Sequence, residues 1–384
     1  MCKPAGMTSR ERVLAAMRRQ GVDYVPCAPF MNFQPEDQRW GMRWQFPFGP
    51  SIRETLDYMM GELGTDQILQ TSIGYFPGQE VSFRVWMDNG IVHKTWTTPA
   101  GELHASIKYD EHWVYGLDIP FFNDYNPSHF VEPWIKTMQD VDCLRHILHP
   151  PRSADSLARL RFRFEESKRI AERYNIVLGL YEGLGLTGAV HMFGATEICM
   201  LSVTEPDLVD AYLDVDHQYN LKIMELALDM GVDMIRRNGF YETCDLFSPA
   251  LLDKFLFNRL KEEIRLVHQA DKLIGYTLLT GVMPLMDYLA RLDFDCIFCP
   301  DVFYKDMDAA KIKMKLGEHK SFWVGPSDTI HLPYDRPDET RAAVRHVFNT
   351  FGKTGLIVTP CSSSKAVFPW SNILAMVDEW KKMR

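Results

Sequence analysis

The chain has 384 residues, 46% of them hydrophobic and 24% charged, with 42 Lys+Arg against 51 Asp+Glu for a formal net charge of -9. That balance suits a folded chain with a sizeable core and excludes disorder, and the lack of a long basic run argues against nucleic acid as a partner. No apolar run reaches the about eighteen residues of a membrane span, and no secretory leader pattern precedes the eight scattered cysteines, which read as reduced thiols of a cytoplasmic protein.

Taken in order, residues 8–20 predict a helix capped by Thr8 or Ser9, with Val13, Leu14 and Met17 as its apolar stripe. VDYVPCAPF follows as a first strand, and the aromatic, Gly/Pro-rich stretch 31–50 reads as a long loop of the kind that folds over a cleft. After a helix at 51–63 and a strand at 65–71, the alternating segment at about 78–110 carries the turn signals Asn89-Gly90 and Ala100-Gly101, which mark an inserted antiparallel meander. The aromatic run 112–134 packs this insert against the body or offers a face for a homodimer.

From about 135 helices longer than ten residues alternate with short apolar runs at 175–180, 232–236, 272–276, 294–298, 320–325 and 355–359. With the two N-terminal strands this makes eight. The pattern predicts an α/β chain forming one (β/α)8 TIM barrel domain over 1–384, ahead of an open six-stranded sheet. A GxGxxG dinucleotide fingerprint is absent, as are G-x-S-x-G, H-E-x-x-H and the P-loop.

A barrel puts its chemistry in the loops after its strands. Those positions hold Tyr181 and Glu182; Arg236, Arg237, Asn238, Tyr241, Glu242 and Cys244; Tyr276; Cys299 and Asp301; Ser327, Asp328 and His331; and Cys361 before Ser362 to Ser364. Tyr241 and Glu242 near an arginine can bind a polar substrate or donate a proton, or Glu242 can simply pair with that arginine. Cys361 is either a ligand or nucleophile or a buried inert thiol, and the serines behind it can offer donors to an anion. Asp301 and Asp328 are general-base or capping aspartates, and His331 is the histidine best placed for proton transfer. Tyr181, Arg236, Asn238, Tyr276, Asp301 and His331 are the expected substrate contacts. Cys296 is expected to point into packing, and His191, His217 and His268 to be structural.

The order of signals resembles the uroporphyrinogen decarboxylase superfamily. The likeness runs through GVDMIRRNGFYET, SPALLDKFLFNRLKEEI, FDCIFCPD, SFWVGPSDT with RPDETRAAVRHVF, and GLIVTPC with FPWSNILAMVDEW. It implies a (β/α)8 barrel, and the insert looks like that of the corrinoid and coenzyme M methyltransferase members. Two departures stand out. The paired arginines that hold porphyrinogen carboxylates are missing from PCAPFMNFQPEDQR. The H-x-C-G zinc motif is replaced by TLLTG, with Leu278, Thr280 and Gly281 at its positions. Cys361 matches the family's distal cysteine, so a zinc site would need Glu242 or Cys244 as well.

The resemblance implies a methyltransferase with Tyr241, Glu242, Asp328 and Cys361 as catalytic residues. It would move a methyl group from a small methoxylated or methylamine-type compound to the cobalt of a corrinoid carried by a partner protein, since the chain lacks a D-x-H-x-x-G segment of its own. The alternatives are a decarboxylase of a porphyrinogen or small acid and a noncatalytic ligand-binding barrel.

Overall fold

The structure, a computed structural model, describes residues 6–29, 43–44, 51–361 and 367–384. The predicted cleft-covering loop at 31–50 falls almost wholly outside the described residues, as do Ser362 to Ser364. Thirteen strands are described: β1 (Arg43–Trp44), β2 (Ile68–Thr71), β3 (Ser82–Asp88), β4 (Ile91–Thr98), β5 (Gly101–Lys108), β6 (Phe130–Glu132), β7 (Val177–Glu182), β8 (Met234–Asn238), β9 (Leu273–Thr277), β10 (Cys296–Phe298), β11 (Ser321–Val324), β12 (Leu356–Val358) and β13 (Val367–Phe368).

Seven of them form one parallel sheet in the order β2-β7-β8-β9-β10-β11-β12. The sheet curls until residues 25–28 bridge its two edges. Ala28 N donates to Val358 O at 2.9 Å, Val358 N to Pro26 O at 2.8 Å, and Asp66 N to Cys27 O at 2.7 Å. The predicted first strand is thus an eighth stave held by bridges, and the expected TIM barrel is observed. Its strands are buried on both faces, as parallel strands covered by helices must be.

One end of the barrel is sealed. The helix Ser9–Met17 starts on a reciprocal Thr8/Glu11 capping box and lays Val13, Ala16 and Met17 against the inward residues Ile68, Val177, Met234, Leu273, Trp323 and Ile357. Arg12 ties this floor to Asp66 and Asp23, each at 2.6 Å. An apolar floor leaves the opposite end, at the carboxyl ends of the strands, for polar chemistry.

The insert is the four-stranded antiparallel sheet β3-β4-β5-β6, turned at Asn89-Gly90 with φ of 48° and 76°. Trp113, Phe121 and Trp134 are buried beneath it, and Phe121 packs edge-on against Trp134 and beside Trp96. These aromatics of the 112–134 run therefore cover the chain's own insert and offer no face to a second copy.

Candidate active site

Two strands run further than their apolar cores predict, and this decides which way their polar residues face. β7 extends through Tyr181 and Glu182, and β8 spans 234–238 rather than 232–236. Arg236 and Arg237 are therefore strand residues. Because side chains alternate across a strand, they point to opposite sides of the barrel wall.

Arg237 faces the helices. It bonds to Glu242, and its Nε donates to Glu263 at 3.3 Å; all three residues are buried. Glu242 also accepts from the Tyr276 hydroxyl and from Thr187 N at 3.4 Å. His217 closes the cage with Nδ1 3.3 Å from Glu263. Tyr276 packs edge-on to Phe294 in the same layer between barrel and helices. Burial alone would lower the Arg237 pKa, but Glu242 and Glu263 hold it well above its ordinary value. Burial raises the Glu242 carboxyl, and it lifts Asp216 to about 7 against the pull of Arg237. Asp216 accepts from Gly185 N at 2.9 Å and Asn220 Nδ2 at 2.8 Å. Glu242 and Tyr276, expected to act on substrate, are thus occupied in a cage on the outer side of the wall.

Arg236 faces inward with Asn238, which shares its register. Its Nε donates to Thr277 Oγ1 at 3.0 Å and Nη1 to Gln70 Oε1 at 3.4 Å, while Nη2 lies 3.8 Å from Cys299 Sγ. The guanidinium carbon is 4.8 Å from the centre of the Tyr181 ring and 5.1 Å from that of Phe298. Gly275 permits this packing, because a Cβ there would collide with the Phe298 ring. Among the described residues the buried Gln70 Nε2 donor finds no hydrogen-bond partner. Burial raises the Tyr181 phenol despite Arg236, so it stays neutral.

Beside Tyr181 the rim carries a group that spacing could not disclose. The Tyr241 hydroxyl donates to Asp124 Oδ1 at 3.0 Å, the same oxygen that lies 3.0 Å from His191 Nε2. Asp124 belongs to the aromatic stretch that follows the insert, over a hundred residues away in sequence, and nothing local marks it. Burial, with Asp124 adding to it, keeps the Tyr241 phenol protonated. Glu182, the last residue of β7, accepts from Ile73 N at 3.4 Å, and burial pushes it up to about 7.

The far rim follows β10, β11 and β12. Cys299 adopts φ of 58°, unusual for a non-glycine residue, where the chain leaves β10. Ser327 Oγ donates to Asp301 Oδ2 at 2.6 Å, and Ser327 N donates to His331 Nδ1 at 3.1 Å. Burial raises Asp301, with Asp328 adding to it, and burial lowers His331. The Cys361 thiol donates to Pro300 O at 3.5 Å; burial, with Asp301, Cys299 and Asp328 beside it, pushes the thiol well above its ordinary pKa. Arg236 and Cys299 connect this rim to the Tyr181 side, and Tyr181, Arg236, Asp301, Asp328 and Cys361 all stand at the carboxyl-terminal end of the barrel strands.

The expected zinc pair is not assembled. Both oxygens of Glu242 are engaged on the outer side of the wall, while the Cys361 thiol lies at Pro300 O on the far rim. Among the described residues no group of three or more His, Cys, Asp or Glu is disposed to hold a metal ion.

With this geometry in place, the family follows from sequence. The model of the uroporphyrinogen decarboxylase (URO-D) family matches residues 111–383. The chain belongs to the uroporphyrinogen decarboxylase family. No curated protein matches it in sequence. Among solved structures, a methyltransferase from Methanosarcina mazei superposes with a TM-score of 0.61 at 16% identity, covering 98% of this chain and 99% of that one, a likeness of fold. A B12-independent methionine synthase from a Shewanella species aligns at a TM-score of 0.47 and 9% identity over 93% of this chain and 96% of its own. Within the family's barrel, this chain keeps an arginine in the mouth and spends its neighbour on the wall. No single described helix is long and apolar enough to cross a membrane.

Proposed function

We propose that this member of the family is a methyltransferase, moving a methyl group from a small methoxylated or methylamine-type donor to a corrinoid held by a partner protein. The observation that carries the choice of a small donor is the pair of donors at the top of the barrel. The Arg236 guanidinium lies between Tyr181 and Phe298 and reaches Gln70, whose Nε2 no described residue satisfies, which suits a compact ligand with one accepting group against aromatic walls. A porphyrinogen bears several carboxylates, and the second arginine of the pair is already committed to Glu242 and Glu263.

The corrinoid, when its carrier docks, supplies the methyl acceptor. The rim suits a docked partner, since Tyr304, Ile330 and Tyr334 in the loops after β10 and β11 are exposed. This chain's own residues bind, orient and protonate. Arg236, Gln70 and Asn238 hold the accepting end of the donor, and Tyr181 and Phe298 flank it. As the carbon–oxygen or carbon–nitrogen bond breaks, its electron pair stays on the heteroatom and the methyl carbon passes to the acceptor. An oxygen or amine left behind needs a proton. Tyr241, steered by Asp124 with His191 behind it, is assigned that donation. Asp301, His331 and Asp328 shape the opposite wall. Glu242 and Tyr276 hold the wall itself, and Cys361 serves as a neutral donor to Pro300. Zinc has no part in this reading, because the residues do not fit it.

The test is anaerobic incubation with free cob(I)alamin and a panel of methoxylated aromatics and methylamines, following the cobalt absorbance. A donor-dependent spectral change that is abolished by Arg236→Met supports the reading. An unchanged cobalt spectrum across the panel, with carbon dioxide released from a small acid by the same folded protein, would replace it with decarboxylation.

A further inference from the structure

We propose that strand β3 is a self-association edge, through which two copies of this chain join their inserts into one continuous antiparallel sheet. β3 ends the insert sheet, and its outer edge has no strand neighbour among the described residues. Edge strands are ordinarily shortened, bulged or covered, because their open backbone groups template further pairing. β3 is seven residues long and pairs with β4 in unbroken register from Ser82↔Thr97 to Asp88↔Ile91. Its large apolar side chains are open to solvent, Phe83 at 58%, Met87 at 51% and Trp86 at 38%.

The turn fixes which backbone groups point outward. Asn89 and Gly90 both have positive φ, as in a two-residue type I′ hairpin, so Asp88 and Ile91 form the hydrogen-bonded pair beside it. Hydrogen-bonded pairs then recur at Trp86 and Arg84. The N–H and C=O groups of Phe83, Val85 and Met87 consequently face away from β4.

The occupant is argued from the strand's own sequence. A two-fold axis at Trp86 sets Val85 of one copy opposite Met87 of the other, where both exchange hydrogen bonds. It also sets Arg84 opposite Asp88 twice. Those charges fall at positions without hydrogen-bonded backbone, where side chains approach most closely. An axis at Val85 would place Arg84 against Trp86 and Asp88 against Ser82, leaving Asp88 without a cation across the seam and Arg84 with only Glu102 of its own chain at 3.5 Å, and an axis at Arg84 would bring two arginines together. The strand thus complements itself in one register, as an isologous interface requires. A seven-residue seam is small, so association should depend on concentration. The proposal does not depend on the reaction assigned above.

Sedimentation velocity of the full chain from about 1 to about 100 μM tests it. Wild-type protein should pass from monomer to dimer across that range. Val85→Pro removes an outward N–H without touching the β4 ladder, and Asp88→Arg sets arginine against arginine; each should weaken the dimer at least about tenfold. The exchange Arg84→Asp with Asp88→Arg should restore wild-type association, and circular dichroism identical to wild type confirms the fold of each variant. A wild-type monomer throughout, or a dimer indifferent to both single variants, overturns the proposal; loss without rescue by the exchange overturns the register.

Discussion

The two faces of β8 hold the same kind of side chain in opposite conditions. On the outer face Arg237 is locked between Glu263 and the Tyr276-bound carboxylate of Glu242, a cage already satisfied without a ligand. On the inner face Arg236 touches a hydroxyl, an amide and a thiol at 3.0, 3.4 and 3.8 Å, between two aromatic rings and beside an amide donor with no acceptor among the described residues. A charge closed in by two buried carboxylates builds wall, whereas an arginine beside an amide donor that no described residue satisfies is placed to meet a ligand. One residue of register separates the two roles.

If that contrast is right, the largest effect belongs to the outer face. Arg237→Met leaves Glu242 buried without its cation and Glu263 with His217 alone, and should cost about 3–5 kcal/mol in urea unfolding. The next effect is one of pH. Asp216 is raised from 3.8 to about 7 in the folded chain, so the folded state holds the proton longer than the unfolded one. Its contribution to stability is complete below the unfolded pKa and is lost as pH rises through about 7. Asp216→Asn should therefore gain on wild type as pH climbs from 4 to 8, by on the order of 2–4 kcal/mol in unfolding free energy. A difference that is flat with pH would mean that the outer cage is not strained by burial.

The inner face should cost less in stability and more in binding. Arg236→Met should cost about 1.5–3 kcal/mol, the scale of hydrogen bonds from a charged donor, while raising KM for the methyl donor at least about tenfold. Equal losses for the two arginine variants in urea would erase the contrast and make Arg236 a wall residue too. Tyr241→Phe should leave binding intact and lower kcat by about 100-fold for donors whose leaving atom needs a proton.

Much of the barrel was legible in the sequence because buried parallel strands leave apolar runs that survive in any context. KLIGY and FDCIF could be nothing else once helices of the right length flanked them. The strand ends were harder. Apolar periodicity stops where the core stops, yet β7 and β8 continue hydrogen bonding through Tyr181, Glu182, Arg237 and Asn238. Residues expected at one rim are therefore dealt to two faces, and of the two arginines within reach of Glu242 in sequence it is Arg237 that pairs with it. Gln70 carried a faint signal, a polar residue two places after the inward Ile68. Asp124 carried none, since its partner Tyr241 is 117 residues away.

The smallest effect concerns the thiols, and it separates the present account of the far rim from the one that the family's cysteine suggests. Cys299 and Cys361 are fully buried, and Cys361 faces carboxylates that disfavour a thiolate. Reaction with iodoacetamide needs both exposure and the thiolate. Peptide mapping after mild native alkylation at pH 8 should therefore find label on the partly exposed Cys199 and Cys244 first, and on Cys299 and Cys361 only after unfolding. Cys361→Ser keeps a donor for the Pro300 carbonyl and should change stability by no more than about 1 kcal/mol. Rapid native labelling of Cys361 would mean that a thiolate is available in the mouth, and the metal or nucleophile role that its position invites would then displace the neutral one assigned to it here.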